Sequence, residues 1–245
     1  VHLDGDTYST ASYGSVPPDT EAKNVVTVMR SKGWKPVFNK HDNNLFVQEL
    51  RRNDQNYGGG EIFTEATIGI FMGHGSYGTD LDYSPGASGS YQTYLPSGNP
   101  NETQDNAWLR MCQFGFGGSL KWMVIDACFF LTDSNQNFSS MVNAGGIPLK
   151  TTHLICSAIT SIDLDATLEQ RWAKNIMSTT NTIATAWFNA GHAAYQAEVN
   201  NPDTIIFRVA GYPECLADTL TNNVAPYNPS SAPGNLDKRD FQVNP

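Results

Sequence analysis

The chain has 245 residues, of which 16% are charged, and its 24 acidic against 15 basic side chains give a formal net charge of −9. That length suits one well-buried domain or two small ones. Because nucleic-acid binders concentrate Lys and Arg, the acidic balance excludes a general nucleic-acid-binding surface. No apolar stretch approaches the ~20 residues that cross a bilayer, so we expect no membrane span.

Hydrophobic periodicity predicts helices and strands that alternate along the chain. Three runs are almost continuously apolar, which is typical of strands covered on both faces in a parallel sheet. The first 19 residues have a short apolar start, continue with Gly, Ser and Pro and end in Pro17-Pro18-Asp19, and no strand is predicted there. In chain order we predict a helix over 20–31, a strand over 34–39, a helix over 44–52, a strand over 67–72, a long irregular loop over 76–106, strands over 120–125 and 153–159, a helical stretch over 166–198 broken near 178–180, and a strand over 204–209.

Strands that alternate with helices indicate an α/β protein with a mostly parallel central sheet. We assign residues 1–223 to a single domain and residues 224–245, which are rich in Pro and Asn, to an extended C-terminal tail. The chain begins at Val1 rather than Met, and we expect that a signal or pro-segment has been removed.

Two of the apolar runs are followed by side chains that can perform nucleophilic chemistry: His74 after the first and Cys128 after the second. Ligands of open α/β sheets bind beyond the carboxyl ends of the strands, so neighbouring strands would bring the two side chains within reach. A thiol beside an imidazole is the minimal set for acyl transfer, because the imidazole promotes thiolate formation and later protonates the leaving amine. Gly75 can aim its amide at a developing oxyanion together with the amide of Cys128.

Other interpretations of these residues stay open. Cys128 could be a plain buried thiol or the disulfide partner of Cys112, and His74 could be a turn histidine bonded to backbone. If Cys128 is free, one disulfide can join two of Cys112, Cys156 and Cys215. Cys156 lies inside an apolar run and is best interpreted as a buried thiol.

The sequence around His74 and Cys128 resembles the clan of cysteine peptidases that contains caspases, legumains, gingipains and clostripain. The clan's signature is a hydrophobic strand followed by His-Gly and a second hydrophobic strand followed by Ala-Cys. The matching segments here are 68–75 (IGIFMGHG) and 122–128 (WMVIDAC). The order of strands and helices is also similar over residues 20–210, and the closest likeness is to a caspase-like family with Gly-His-Gly and Trp-x-x-x-Asp-Ala-Cys segments.

This resemblance implies a three-layer sandwich of the caspase-hemoglobinase type, with helices on both faces of the sheet. It also implies that His74 and Cys128 form a catalytic dyad, that the amides of Gly75 and Cys128 form the oxyanion hole, and that no organic cofactor is needed.

The resemblance further implies a substrate-binding role for three aspartates. Asp126 lies two residues before the cysteine and would line the primary specificity pocket, and the loop after the next strand would add Asp163 and Asp165. Acidic side chains there would favour a Lys or Arg before the scissile bond. Asp126 could instead be a hydrogen-bonded cap on the turn.

Several features bear on compartment and on metals. Acceptor sequons at Asn101 and Asn137, together with the low charge, favour a secreted glycoprotein. Aspartate pairs, Asp163 and Asp165 among them, could supply oxygens to a structural Ca²⁺, but none matches an EF-hand loop and we expect solvated loop charge instead. Near the end of an element, His153 is expected at the surface or at an edge.

We therefore predict a secreted cysteine endopeptidase that acts on a peptide or protein substrate through a thioester acyl-enzyme. A transpeptidase or ligase would use the same intermediate with an amine in place of water. The alternative from another class is a secreted non-catalytic glycoprotein that uses the same fold for binding or assembly.

Overall fold

The fold is described from a computed structural model of the chain. The described residues are 7–13, 18–41, 47–50, 62–73, 76–79, 91–96, 108–110, 114–132, 149–162, 167–178, 180–198, 203–223 and 236–244.

Ten strands and four α-helices are found in these ranges. The strands are β1 (Thr7–Tyr13), β2 (Lys35–His41), β3 (Ile68–Gly73), β4 (Ser76–Thr79), β5 (Tyr91–Pro96), β6 (Trp108–Arg110), β7 (Trp122–Asp126), β8 (Leu154–Ala158), β9 (Ile205–Gly211) and β10 (Asp237–Val243). The α-helices are α1 (Pro18–Ser31), α2 (Val47–Leu50), α3 (Leu168–Ile176) and α4 (Ile183–Ala197), and short 3₁₀ helices occupy Ile62–Glu65 and Pro213–Ala217.

Seven strands form one mixed sheet in the order β10-β9-β8-β7-β3-β1-β2. The five strands β8, β7, β3, β1 and β2 run parallel to one another. β9 is antiparallel to β8, and β10 is antiparallel to β9. The predicted α/β class with a mostly parallel sheet is therefore confirmed. The apolar runs form its centre, because every residue of β8 and most of β3 and β7 are buried.

Three helices form a layer on one face of this sheet. α1 contacts α3, α3 contacts α4, and α4 packs on β9. The approach of α4 to β9 is close because Gly191 has no side chain: a Cβ there would lie 2.6 Å from the ring of Phe207. Trp187, one turn earlier on α4, meets the same ring edge-on with 5.7 Å between the centroids.

The other face of the central strands carries an aromatic cluster. Residues paired across strands share a face, which places Gly69 of β3 on the side opposite Phe207. A Cβ on Gly69 would lie 2.9 Å from Phe63, which stacks on Phe114 with 5.6 Å between the ring centroids. The ring centroids of Phe114 and Phe116 lie 4.8 Å apart, and all three rings are buried.

Three segments differ from the sequence prediction. β1 was not predicted, yet it lies inside the sheet between β2 and β3. The predicted loop over 76–106 contains β4 and β5, which pair with β6 in a separate antiparallel sheet. The predicted tail is extended over Asp237–Val243, as expected, but it also pairs with β9 and so belongs to the sheet.

The helices agree more closely with their predictions. α1 corresponds to the helix predicted over 20–31, and α3 and α4 divide the stretch over 166–198 at the predicted break. Of the helix predicted over 44–52, only α2 lies within the described residues. None of the helices in the described ranges is both long and apolar enough to cross a membrane.

Candidate active site

The candidate site lies at the edge of the sheet where β3, β7 and β8 end. β3 and β7 are parallel neighbours, with Met72 opposite Asp126, and β8 runs parallel on the other side of β7. The condition for bringing His74 and Cys128 together, that their strands be neighbours, is therefore met. His74 and Gly75 follow β3 in the sequence and lie outside the described residues.

The turn after β7 is held in a defined conformation. Phe129, the residue after Cys128, has a φ of 60°, which costs a side chain with a Cβ about 1–2 kcal/mol. Its amide donates to the carbonyl of Thr160 at 3.0 Å, and the amide of Leu131 donates to that of Ala158 at 3.1 Å. Backbone strain of this kind concentrates at functional sites, where the surrounding structure enforces it.

Buried side chains anchor the same turn. Phe130 and Leu131 are buried in the core, and the carbonyl of Leu131 accepts a hydrogen bond from Nη1 of Arg208 at 2.9 Å. Arg208 is itself buried and forms a bidentate pair with Asp240 on β10, with N–O distances of 2.6 and 2.7 Å. The edge strand in the tail thus supports the turn that carries Cys128.

Cys128 is a free, partly exposed thiol. Its Sγ lies 3.5 Å from the Ser161 hydroxyl, accepts the amide N–H of Ile162 at 3.3 Å, and can donate to the carbonyl of Ile162 at 3.4 Å. All three contacts come from the loop that follows β8. The disulfide interpretation of Cys128 is therefore not supported by the structure.

The other described cysteines are also free, but both are buried. Burial raises the pKa of the Cys156 thiol, and burial with nearby Asp218 and Glu214 raises that of Cys215 to about 12. Both thiols therefore stay protonated near neutral pH and cannot act as thiolates. Neither of these two cysteines forms a disulfide. Cys156 is the buried thiol that we predicted. Cys112 lies outside the described residues.

Asp126 ends β7 and pairs with a side chain that the sequence analysis did not single out. Its carboxyl group hydrogen-bonds to that of Glu169, a buried residue in the first turn of α3. Burial raises the pKa of Asp126, and the hydrogen bond from Glu169 opposes this rise. Two carboxyl groups can hydrogen-bond only if one holds a proton, so the pair carries less than its full charge.

Replacing Asp126 by Asn is expected to stabilise the fold at neutral pH. Because the pKa of Asp126 is raised in the folded state, its contribution to stability is complete below the ordinary aspartate pKa and is lost as the pH rises through the folded pKa. At about pH 7 the Asn variant should therefore unfold at a higher urea concentration than the wild type. The difference between the two unfolding midpoints should shrink toward about pH 4. A constant difference across this range would contradict the assignment.

A second polar cluster lies at the opposite end of β8. His153, directly before the strand, was expected at the surface or at an edge and is buried. Its Nδ1 lies 2.6 Å from Oδ2 of Asp218. The same oxygen accepts the indole N–H of Trp122 at 2.9 Å. The sequence hid this role of His153 because its partner Asp218 is 65 residues away along the chain.

Ligand atoms of His153, Cys215 and Asp218 lie within 4.8 Å of one another and are of types that bind zinc. The 2.6 Å between Nδ1 and Oδ2 is, however, a hydrogen-bond distance, whereas two ligands of tetrahedral zinc lie about 3.3 Å apart. We therefore assign this cluster a structural role as a hydrogen-bonded network.

The remaining predicted site residues lie outside the described residues; they are Asp163, Asp165, Asn101 and Asn137. Sequence reasoning missed Glu169, Ser161 and Arg208. A signal existed for Glu169, because it lies three and four positions before the buried Trp172 and Ala173 on a predicted helix, on the apolar side. Nothing in the sequence distinguishes Ser161 from the other serines.

The fold and the site together define a class: an α/β protein with a mostly parallel sheet and a free thiol at the carboxyl edge of its central strands. The chain belongs to the family described as Domain of unknown function (DUF6345), whose model matches residues 8–223. No curated protein and no solved structure matches the chain.

Proposed function

We propose that this protein is a secreted cysteine endopeptidase with the three-layer fold of the caspase and legumain clan and with Cys128 and His74 as its catalytic dyad. The observation that carries the proposal is the position of Cys128. It is a free and partly exposed thiol on a strained turn, two residues after the end of a strand whose parallel neighbour ends one residue before His74.

The chemistry follows from this arrangement. The Cys128 sulfur attacks the carbonyl carbon of the scissile peptide bond, and the imidazole of His74 protonates the departing amine. The resulting thioester is then cleaved by water, from which His74 takes a proton. No metal or organic cofactor takes part in these steps.

The backbone amides of Cys128 and Phe129 differ as candidate oxyanion donors. The amide of Phe129 already donates to Thr160, whereas no acceptor for the amide of Cys128 is found among the described residues. We propose the amides of Cys128 and Gly75 as the two donors to the developing negative charge.

We propose that the substrate carries Lys or Arg before the scissile bond. Asp126 lies two residues from the nucleophile and shares a proton with Glu169, so a bound cation could displace that proton and pair with the resulting charge. Asp163 and Asp165 complete the pocket in this proposal.

A peptide panel with a covalent probe tests the proposal. We expect hydrolysis of peptides with Arg or Lys before the scissile bond, little hydrolysis with Asn or Asp there, and a single adduct on Cys128 with an Arg-containing peptidyl ketone, located by mass spectrometry. Equal cleavage of all peptides would overturn the specificity. Folded protein with neither hydrolysis nor an adduct would overturn the peptidase, and predominant transfer to an added amine would identify a transpeptidase instead.

A further inference from the structure

A buried arginine lies in the middle of β9. The preceding residue, Phe207, packs against α4, so the alternation of side chains along a strand places Arg208 on the other face of the sheet, where it is 1% exposed. Burying a guanidinium is costly, and an apolar side chain at such a position is often at least as favourable for stability. The stability of the fold therefore does not by itself account for an arginine here.

The guanidinium of Arg208 joins β10 to the turn that follows β7. Its Nε and Nη2 donate to the two carboxylate oxygens of Asp240 at 2.6 and 2.7 Å, and its Nη1 donates to the carbonyl of Leu131 at 2.9 Å. A planar guanidinium that binds a carboxylate with two parallel hydrogen bonds is fixed in orientation. The carboxylate of Asp240 therefore directs the third donor toward Leu131.

The turn over residues 128–132 depends on bonds from outside itself. Phe129 has a φ of 60°, and such a conformation persists only where the surrounding structure enforces it. On one side, β8 and its loop accept the amides of Phe129 and Leu131; on the other, Arg208 donates to the carbonyl of Leu131. Since hydrogen bonds from a charged donor are roughly twice as strong as neutral ones, we expect the Arg208 bond to be the strongest of the three.

The counter-ion of Arg208 comes from outside the part of the chain that the family model matches. That part is residues 8–223, and β10 (Asp237–Val243) lies beyond it. β10 is an edge strand of the sheet, and the side chain of Asp240 is 41% exposed. Edge elements with exposed backbone open more readily than central strands. The orientation of a buried guanidinium in β9 thus depends on a peripheral strand.

We propose that Arg208 and Asp240 are positioning residues, which hold the turn over 128–132 in the conformation that presents the Cys128 sulfur. β10 is then part of the site and not only of the fold. As a statement about catalysis this rests on the proposed peptidase function, whereas the effect on the turn does not. Without the carboxylate, the guanidinium is no longer held toward the carbonyl of Leu131, and the turn relaxes from its strained conformation.

Hydrogen exchange of the turn, measured by mass spectrometry, tests the proposal together with peptide hydrolysis. Asp240→Ala should raise the exchange rate of the Phe129 and Leu131 amides by about tenfold, and should lower kcat on an Arg-containing peptide by about tenfold with KM changed by less than about twofold. Asp240→Glu keeps a carboxylate at a partly exposed position and should restore most of both. Asp237→Ala removes an exposed carboxylate from the same strand and, as the matched control, should change neither.

A double variant separates positioning from stability, because Asp240→Ala also leaves a buried charge without its partner. In Arg208→Met/Asp240→Ala that charge is gone, and the urea midpoint of unfolding should return toward the wild-type value. A purely structural role predicts that exchange and kcat return with it. Positioning predicts that both stay altered, because methionine cannot donate to the carbonyl of Leu131, while the amides of β8 exchange at the wild-type rate.

Wild-type exchange in the turn of the folded double variant would overturn the proposal. If the double variant is unfolded, Asp240→Asn takes its place: it keeps one acceptor oxygen, and an unchanged exchange rate in its turn would equally overturn the proposal. If exchange rises but the wild type cleaves no peptide, the peptidase proposal fails while the positioning of the turn stands. If the double variant cleaves peptides at the wild-type rate, only the positioning role fails.

Discussion

Replacing Cys128 by alanine is expected to abolish peptide hydrolysis, with kcat/KM falling by at least about 10⁴-fold. The thioester requires the sulfur as nucleophile, and the other described thiols are buried and held protonated, so they cannot replace it. His74→Ala should cause a loss of similar order, because nucleophile and base act as a unit. Initial rates on an Arg-containing peptide measure both effects.

Cys156→Ala is the matched control for this experiment. It removes a thiol from β8, the strand beside β7, without touching the candidate site, so activity should persist although stability falls slightly. The Cys128→Ala protein should unfold at about the same urea concentration as the wild type, since this thiol is partly exposed. Hydrolysis that survives in Cys128→Ala would show that another residue, or another protein, performs it.

The apolar runs were sufficient to predict the centre of the sheet. β3, β7 and β8 are buried on both faces, so their sequences are nearly uniform in hydrophobicity and stand out from their surroundings. The carboxyl edge, and with it the position of Cys128, followed from these strands. This part of the site was predictable because parallel neighbouring strands place the residues that follow them at the same edge of the sheet.

Other parts of the fold have no such signal. β1 reads TYSTASY, in which small hydroxyl side chains replace the aliphatic residues expected of an inner strand. Its place is set by pairing with β2 and β3, and that pairing is long-range. The small sheet of β4, β5 and β6 was missed for the related reason that Ser, Gly and Tyr suggest loops when their partner strands are unknown.

Side-chain contacts between distant segments were the least predictable features. The carboxyl group of Glu169 meets that of Asp126, 43 positions earlier (169 − 126), and the guanidinium of Arg208 donates to the backbone carbonyl of Leu131, 77 positions earlier. Each contact joins β7, or the turn that follows it, to an element much later in the chain. Their consequence for function is that the Cys128 turn is supported from α3, β9 and β10, although its own sequence spans only a few residues.

Asp218→Ala is expected to lower the free energy of unfolding by about 3–5 kcal/mol. The carboxylate accepts hydrogen bonds from His153 and Trp122, and all three residues are buried. Its removal leaves an indole N–H and an imidazole N–H in the core without an acceptor, and each such group costs about 1–3 kcal/mol. Urea unfolding followed by tryptophan fluorescence measures the change, because Trp122 itself loses a partner.

Two further variants separate the hydrogen bonds from the general effect of removing a charge. Asp218→Asn keeps one acceptor oxygen and should cost less than Asp218→Ala, whereas Asp237→Ala removes an exposed carboxylate at the start of β10 and should change stability by less than about 0.5 kcal/mol. The cluster also adjoins α4, because the carbonyl of Asp218 accepts the amide of Ile183 at 2.8 Å. That backbone hydrogen bond survives the substitution. If Asp218→Ala lowered the free energy of unfolding as little as Asp237→Ala, the two buried donors would have found other acceptors. The structural role assigned to the Asp218 carboxylate would then be wrong.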